Sequence, residues 1–439
     1  MYQEKKNKIL LLSTRDSIGG GFEWMYTLSK ALHKSGFNVV LLVKNKINSD
    51  SFIVELPFIK KRSSILFRIF KFICRKLKIK AKTKELNTKP EYSFFPGEDQ
   101  SEIYLNAEDI LNKISFIPDM IISGLTFDYV NTKTLLDLKK ITKADVYITA
   151  IDMSAFTGGC HVINGCNGFY TSCSNCPGIL KGELTTTRRN LELKQKRASD
   201  GTFGLLYSSS WALYQANQSF IFDKLKKVFI GSCINSSLYN SANRDIAKQV
   251  FGFDSSDKVI LSGADDIKEK RKGREFFIEA LFILYERLTD EERNAVVIFV
   301  IGNNSEEDES SSKLKFRKKF VNFISDTRLL SLAYQAADLF ISSSVEDLGP
   351  LMVVEALSCG TPVVGFEMGL LFDNSLVENY INGYKAKLKD TVSLADGIEY
   401  IIKLPETEFE KVSENSRQAA LNNSSEEVFI SAIKHLCHE

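Results

Sequence analysis

The sequence predicts an α/β protein made of two doubly wound domains, and three observations carry that expectation. Its 439 residues exceed what a single hydrophobic core usually organises. Near the start, the apolar run Ile9-Leu10-Leu11-Leu12, the glycines Gly19, Gly20 and Gly21, a helical stretch at 22–35 and a second apolar run at 38–43 spell a strand–helix–strand unit. The same succession returns at 339–366, LFISSSVEDLGPLMVVEALSCGTPVVGF. There a short apolar run leads into a charged glycine loop, Leu351, Val354 and Leu357 share one side of a helix, and Gly360 and Pro362 stop it before Val363. In open α/β sheets ligands collect at the carboxyl ends of strands, where helix N-termini offer amides, so Glu346 and Glu355 can share one ligand wall.

Composition narrows the function. Apolar residues make up 44% and charged residues 26%, ordinary for a soluble globular protein. Fifty-seven basic against fifty-five acidic residues leave a net charge of +2, which gives no global pull toward nucleic acid. Residues 1–8 are polar and no stretch of eighteen uncharged apolar residues occurs, so neither a signal peptide nor a transmembrane helix is expected. Eight cysteines in such a chain suit the reducing cytoplasm.

One segment departs from the average. Residues 60–89 hold twelve lysines and arginines against the single acid Glu85, interleaved with Ile65, Phe67, Phe70 and Phe72. The pattern suits an interfacial helix drawn to anionic lipid at about 1 kcal/mol per basic residue, or equally a surface helix packed on its own domain. Nucleic-acid binding is a weaker third reading with no recognition motif behind it. Strands are then expected at 120–123 and 145–149, the second feeding Ile151-Asp152 and Thr157-Gly158-Gly159-Cys160-His161. Cys160, Cys166, Cys173 and Cys176 follow a C-x5-C-x6-C-x2-C spacing. Four soft ligands within seventeen residues suit a structural tetrahedral zinc, and reduced or disulfide-paired loop cysteines suit the spacing as well.

The second domain is expected to open with a strand at 258–263, ending at Gly263, and a basic loop holding Arg271 and Lys272 before a helix at 274–288. Lysine and arginine beside helix amides are what a diphosphate needs, although such clusters are commonly solvated loops. A strand and turn at 296–303 places Gly302 on a nucleobase side, 304–312 reads as a mobile polar loop, and 329–337 as a short helix.

Taken together, Glu346 to Glu355 followed by Cys359-Gly360-Thr361-Pro362-Val363-Val364, the glycines near residue 19, the Thr157 to His161 run, and Lys272-Gly273 resemble the retaining glycosyltransferases of the GT-B fold, in their capsule, O-antigen and exopolysaccharide branch. The resemblance runs in order from about residue 19 to Gly383. It implies two Rossmann-like domains, an acceptor-side domain at 1–238 and a nucleotide-sugar domain at 239–422, with a helix at 423–439 packing back toward the first.

The same resemblance implies a hexosyltransferase activity with a nucleoside diphosphate sugar as donor and a glycan, commonly lipid-linked, as acceptor, without a catalytic metal. Glu355 would hold the ribose hydroxyls. Glu346 would grip the donor sugar with the amides of Leu348, Gly349, Pro350 and Leu351, of which proline contributes backbone shape only. Arg271 and Lys272 would stabilise the departing diphosphate, Gly20 and Gly21 would complete the phosphate pocket, and Asp152 would reach the cleft. Localisation is expected in the cytoplasm, peripheral at the inner face of the plasma membrane. Three positions depart from the pattern: Ile151 stands where a histidine is usual, Ala264 replaces an arginine, and Asn235 an aspartate. Ile151 and Ala264 motivate the alternative of an inactive nucleotide-sugar-binding partner in a membrane-associated assembly complex. An NAD-dependent dehydrogenase is more distant, lacking the GxGxxG spacing.

Overall fold

A computed structural model describes residues 7–17, 19–58, 87–94, 97–98, 104–181 and 185–438. The basic segment at 60–89 lies outside the described residues except for 87–89. Two compact units emerge: Met1–Ser29, Gly36–Leu205 and Gln215–Lys226 form the first, and Lys30–Ser35, Leu206–Tyr214 and Lys227–Glu439 the second.

One sheet has seven strands: β1 (Lys8–Arg15), β2 (Asn38–Asn45), β3 (Ile53–Glu55), β5 (Met120–Ser123), β6 (Asp145–Thr149), β8 (Gly204–Tyr207) and β9 (Lys227–Phe229), in the order β3-β2-β1-β5-β6-β8-β9. A separate two-stranded ribbon pairs β4 (Asn87–Thr88) with β7 (Ile179–Lys181). β1 lies parallel between β2 and β5, with Leu10 opposite Val40 on one side and Ile121 on the other. Its residues Ile9 to Leu12 are wholly buried, as a central parallel strand covered on both faces must be.

The other sheet joins β10 (Lys258–Asp266), β11 (Val296–Asn303), β12 (Arg317–Val321), β13 (Leu339–Ser342), β14 (Val363–Phe366) and β15 (Gly383–Ala386) in the order β12-β11-β10-β13-β14-β15. Two clusters of buried side chains cover it, one gathered around Phe299, Tyr334 and Leu357, the other around Ile260, Leu281 and Ile398. In both sheets the chain winds outward from a central strand, then returns to that strand's other side. The reversal falls between β1 and β5 in one sheet and between β10 and β13 in the other. Such switch points open a crevice at the carboxyl ends of the two strands.

Local differences from the expectation have physical reasons. The first helix spans Gly20–Lys34, so Gly20 and Gly21 form its first turn instead of a free loop, and the left-handed residue is Gly19 (φ 110°). β10 runs to Asp266, three residues beyond the expected end, because its outer part pairs again with β11 across an irregularity at Gly263/Asp266. The helix expected at 329–337 spans Thr327–Ala336, since the Asp326 carboxylate caps the amides of Arg328 and Leu329. The polar stretch 304–312 is ordered by Asp308, which caps the short helix Glu309–Ser312 and pairs with Arg274 at 2.9 Å. Among the described residues no helix is long and apolar enough to cross a membrane.

Candidate functional site

The switch point between β10 and β13 gathers most of the expected residues of the second unit. After β10 the chain makes a 3-10 turn at Lys270–Lys272, and Gly273, in the left-handed region (φ 66°), opens the helix Arg274–Arg287. A Cβ at Gly273 would fall onto the Ser343 carbonyl, so only glycine lets the two loops meet so closely. They are also bonded: the Val345 amide donates to the Arg271 carbonyl at 2.8 Å, and Ser343 Oγ to the Lys272 carbonyl at 2.9 Å.

The electrostatic centre is Asp347, which the sequence reading passed over although it lies between Glu346 and Leu348. Its Oδ2 accepts from Lys272 Nζ at 2.8 Å and from Arg271 Nη1 at 3.0 Å, while Oδ1 accepts from the Gly349 amide at 3.2 Å. Burial alone would raise its pKa, but the two cations hold it well below the usual carboxylate range. Arg271 also pairs with Glu269 at 2.6 Å and reaches the Glu346 carbonyl at 3.4 Å. Burial works against its charge, and Asp347 and Glu269 outweigh that and raise its pKa. The two expected diphosphate cations thus stand together, matched in charge by two carboxylates.

The loop then enters the helix Leu351–Ser358, whose N-terminus has Pro350 at the cap and no side-chain cap bond. Glu355 lies one turn in, and two tyrosines hold it: Tyr334 donates to Oε2 at 2.7 Å and Tyr239 to Oε1 at 3.1 Å. Neither tyrosine follows from a motif spacing. Behind the loop, Gly263 lies against Met352, where a Cβ would meet Cε at 2.6 Å, and Gly302 (φ 148°) lies against the Ala264 carbonyl. Leu348 is buried, and its carbonyl accepts from Ser209 Oγ at 2.5 Å.

In the first unit, Gly21 faces the end of β5. A Cβ there would meet Leu125 Cδ1 at 2.5 Å and Ile151 Cγ2 at 2.7 Å, so the isoleucine that replaces the usual histidine fills space over the first helical turn, whereas Gly20 faces open space. Asp152, next in sequence, is buried, and its Oδ2 accepts from the His161 ring at Nδ1, 2.7 Å away. Burial would raise the Asp152 pKa, but the histidine and the Ser154 contacts bring it below its usual value. Asp152 also lines a cavity at the ends of β5 and β6, together with Ser123, Thr149 and Lys194. Lys194 donates to the carbonyls of Ser154 (2.8 Å) and Thr157 (3.0 Å).

The four clustered cysteines line one further cavity, as free thiols. Among the described residues no group of three or more His, Cys, Asp or Glu is arranged to hold a metal ion, so the zinc expected from the spacing finds no ready ligand set. Burial pushes Cys160 up to about 12 and Cys173 up to about 11, so both favour the neutral thiol.

The two parallel, doubly wound sheets make this a GT-B fold. Solved structures share it over nearly the whole chain: a sucrose-phosphate synthase from Thermosynechococcus elongatus (TM-score 0.61, 15% identity, covering 98% of each chain); Anabaena Alr3699/HepE in complex with UDP-glucose (TM-score 0.61, 15% identity, 98% of this chain and 100% of that one); and a glycosyltransferase from Rickettsia africae (TM-score 0.63, 15% identity, 98% of each). Residues 243–419, which hold the β10/β13 switch point, match the family Glycosyl transferases group 1. A 97-residue stretch is 30% identical to an uncharacterized glycosyltransferase of Haemophilus influenzae, covering 22% of this chain and 27% of that protein. The chain thus spans about a quarter of the length of the curated relative it matches.

Proposed function

We propose that this protein is a retaining glycosyltransferase that moves a sugar from a nucleoside diphosphate sugar to a glycan acceptor in surface polysaccharide biosynthesis. One observation carries the reading: within the group 1 region, Arg271 and Lys272 meet at Asp347 beside a helix N-terminus without a side-chain cap, with Glu355 one turn further on. A diphosphate placed there meets two cations and main-chain amides, the set that stabilises charge on a departing phosphate. These side chains supply the positive charge that other folds obtain from a divalent ion. Glu355 accepts from the ribose hydroxyls, and Glu346 with the 348–351 loop holds the sugar. UDP-glucose, bound by the structurally similar Anabaena protein, is the first donor to test.

The acceptor we assign is a lipid-linked glycan, with the basic segment at 60–89 holding the protein to the inner face of an anionic membrane. Flotation with anionic liposomes checks this: substituting Lys71, Arg75, Lys76 and Lys78 by glutamate should abolish it, and unchanged flotation counts against the anchor.

The activity is tested by incubating the full chain with UDP-glucose, UDP-galactose, UDP-N-acetylglucosamine and GDP-mannose, and measuring nucleoside diphosphate release with the anomeric configuration of any product. Release with retention, insensitive to chelator and about a hundredfold weaker in Lys272→Ala, is expected; no binding of any donor overturns the reading. Binding without turnover supports the second reading, an inactive nucleotide-sugar-binding partner, which Ile151 over Gly21 favours.

A further inference from the structure

Glu355 does not reach its position unaided. A glutamate side chain has three rotatable bonds, and its carboxylate points usefully only if something restricts them. Here each oxygen takes a phenolic hydroxyl from a different element: Tyr334 lies on the helix Thr327–Ala336, Tyr239 in the segment before the helix Arg244–Val250.

Both phenols are themselves anchored. Tyr334 is wholly buried, its ring stands edge-on to Phe340 of β13 at 5.8 Å, and its carbonyl accepts from Thr361 Oγ1 at 2.7 Å. Tyr239 is 6% exposed, and its carbonyl accepts from the Arg417 guanidinium at 3.3 Å. The two rings lie 6.3 Å apart at 56°, so their hydroxyls approach the carboxylate from different directions. Two donors on different oxygens fix a carboxylate's plane as well as its place, which one donor cannot do. Burial and the nearby carboxylate push the Tyr334 pKa far above its ordinary value, so its hydroxyl keeps its proton and its role as donor.

We propose that Tyr239 and Tyr334 are positioning residues that orient the Glu355 carboxylate toward the 2′,3′-diol of a nucleoside diphosphate, and so set the preference for ribo- over deoxyribonucleotides. The inference rests on the ribose role given to Glu355 above, and the experiment separates the two.

Calorimetric titration of the full chain with UDP, GDP and the 2′,3′-dideoxy form of each reads the preference directly. The wild-type protein should bind the ribo form of its preferred nucleotide about a hundredfold more tightly than the dideoxy form. Tyr334→Phe and Tyr239→Phe should each cut that ratio about tenfold, leaving dideoxy affinity within about twofold. Glu355→Gln should bring the ratio close to one, and adding Tyr334→Phe to it should cost nothing more. A tyrosine variant that weakens both forms equally, or leaves the ratio unchanged, overturns the positioning role while Glu355 keeps its own. A wild-type ratio near one, a ratio that survives Glu355→Gln, or failure of UDP and GDP alike to bind removes the ribose role itself. Tyr239→Phe, at the less buried site, decides the matter if Tyr334→Phe fails to fold.

Discussion

Asp347 holds Lys272 by a 2.8 Å bond between Oδ2 and Nζ, so the lysine assigned to the diphosphate is already paired before any donor arrives. The carboxylate serves as internal counter-ion and as organiser, because its other oxygen fixes the Gly349 amide in the same loop.

Removing that carboxylate should therefore cost stability. Asp347→Ala leaves Arg271 and Lys272 facing each other, partly buried, with Glu269 still paired to Arg271. Breaking such a pair from one side costs about 3 kcal/mol. Urea unfolding monitored by circular dichroism should show a lower midpoint at unchanged slope.

Acid should act through the same residue. The folded-state pKa of Asp347 is depressed, so its stabilisation is complete above the unfolded aspartate value of about 3.9 and is lost as pH falls toward the folded value. Asp152 is depressed as well and adds to the same acid limb. Stability measured from pH 6 to pH 2 should fall more steeply in the wild-type protein than in Asp347→Asn.

Lys272→Ala should lower kcat/KM for sugar transfer by about a hundredfold, with most of the loss in kcat, since charge on the diphosphate grows as the glycosidic bond breaks. Steady-state kinetics with UDP-glucose measure it, and a pure KM effect would assign Lys272 to ground-state binding alone.

Gly273→Ala should destabilise the second unit by about 2–4 kcal/mol, because the left-handed backbone and the Ser343 carbonyl both exclude a Cβ. Calorimetric unfolding reports the loss. An unchanged midpoint would show that the two loops separate readily.

The cysteine cavity makes a separate prediction. Cys160 and Cys173, with pKa values raised to about 12 and about 11, should alkylate slowly with iodoacetamide at pH 7.5 and much faster above pH 10, as read by peptide mass spectrometry.

The parallel strands and their switch points were legible because buried strands are written as short apolar runs between glycine, serine and proline. The β13 strand and the Leu351–Ser358 helix appear as the 339–366 reading placed them. Lys272 and Glu355 were legible through motif spacing, and Arg271 only as a further cation of the basic loop before a helix. Asp347 was not, because its role depends on β10 lying beside β13, a long-range pairing of 75 or more residues that no local pattern encodes. Tyr239 and Tyr334 escaped for the same reason: they are 116 and 21 residues from Glu355 and look like ordinary core aromatics. The cysteine spacing placed four thiols around one cavity, but said nothing of their burial, which raises the pKa values of Cys160 and Cys173.

Because Val345 and Ser343 are tied to the main chain of Arg271 and Lys272, the cation turn and the carboxylate loop form a single mechanical piece. Anyone redesigning sugar choice by transplanting residues 343–351 from a homologue would inherit only half of that piece. The transplant should succeed when residues 269–273 travel with it, and otherwise leave a scaffold that folds with its charges out of step.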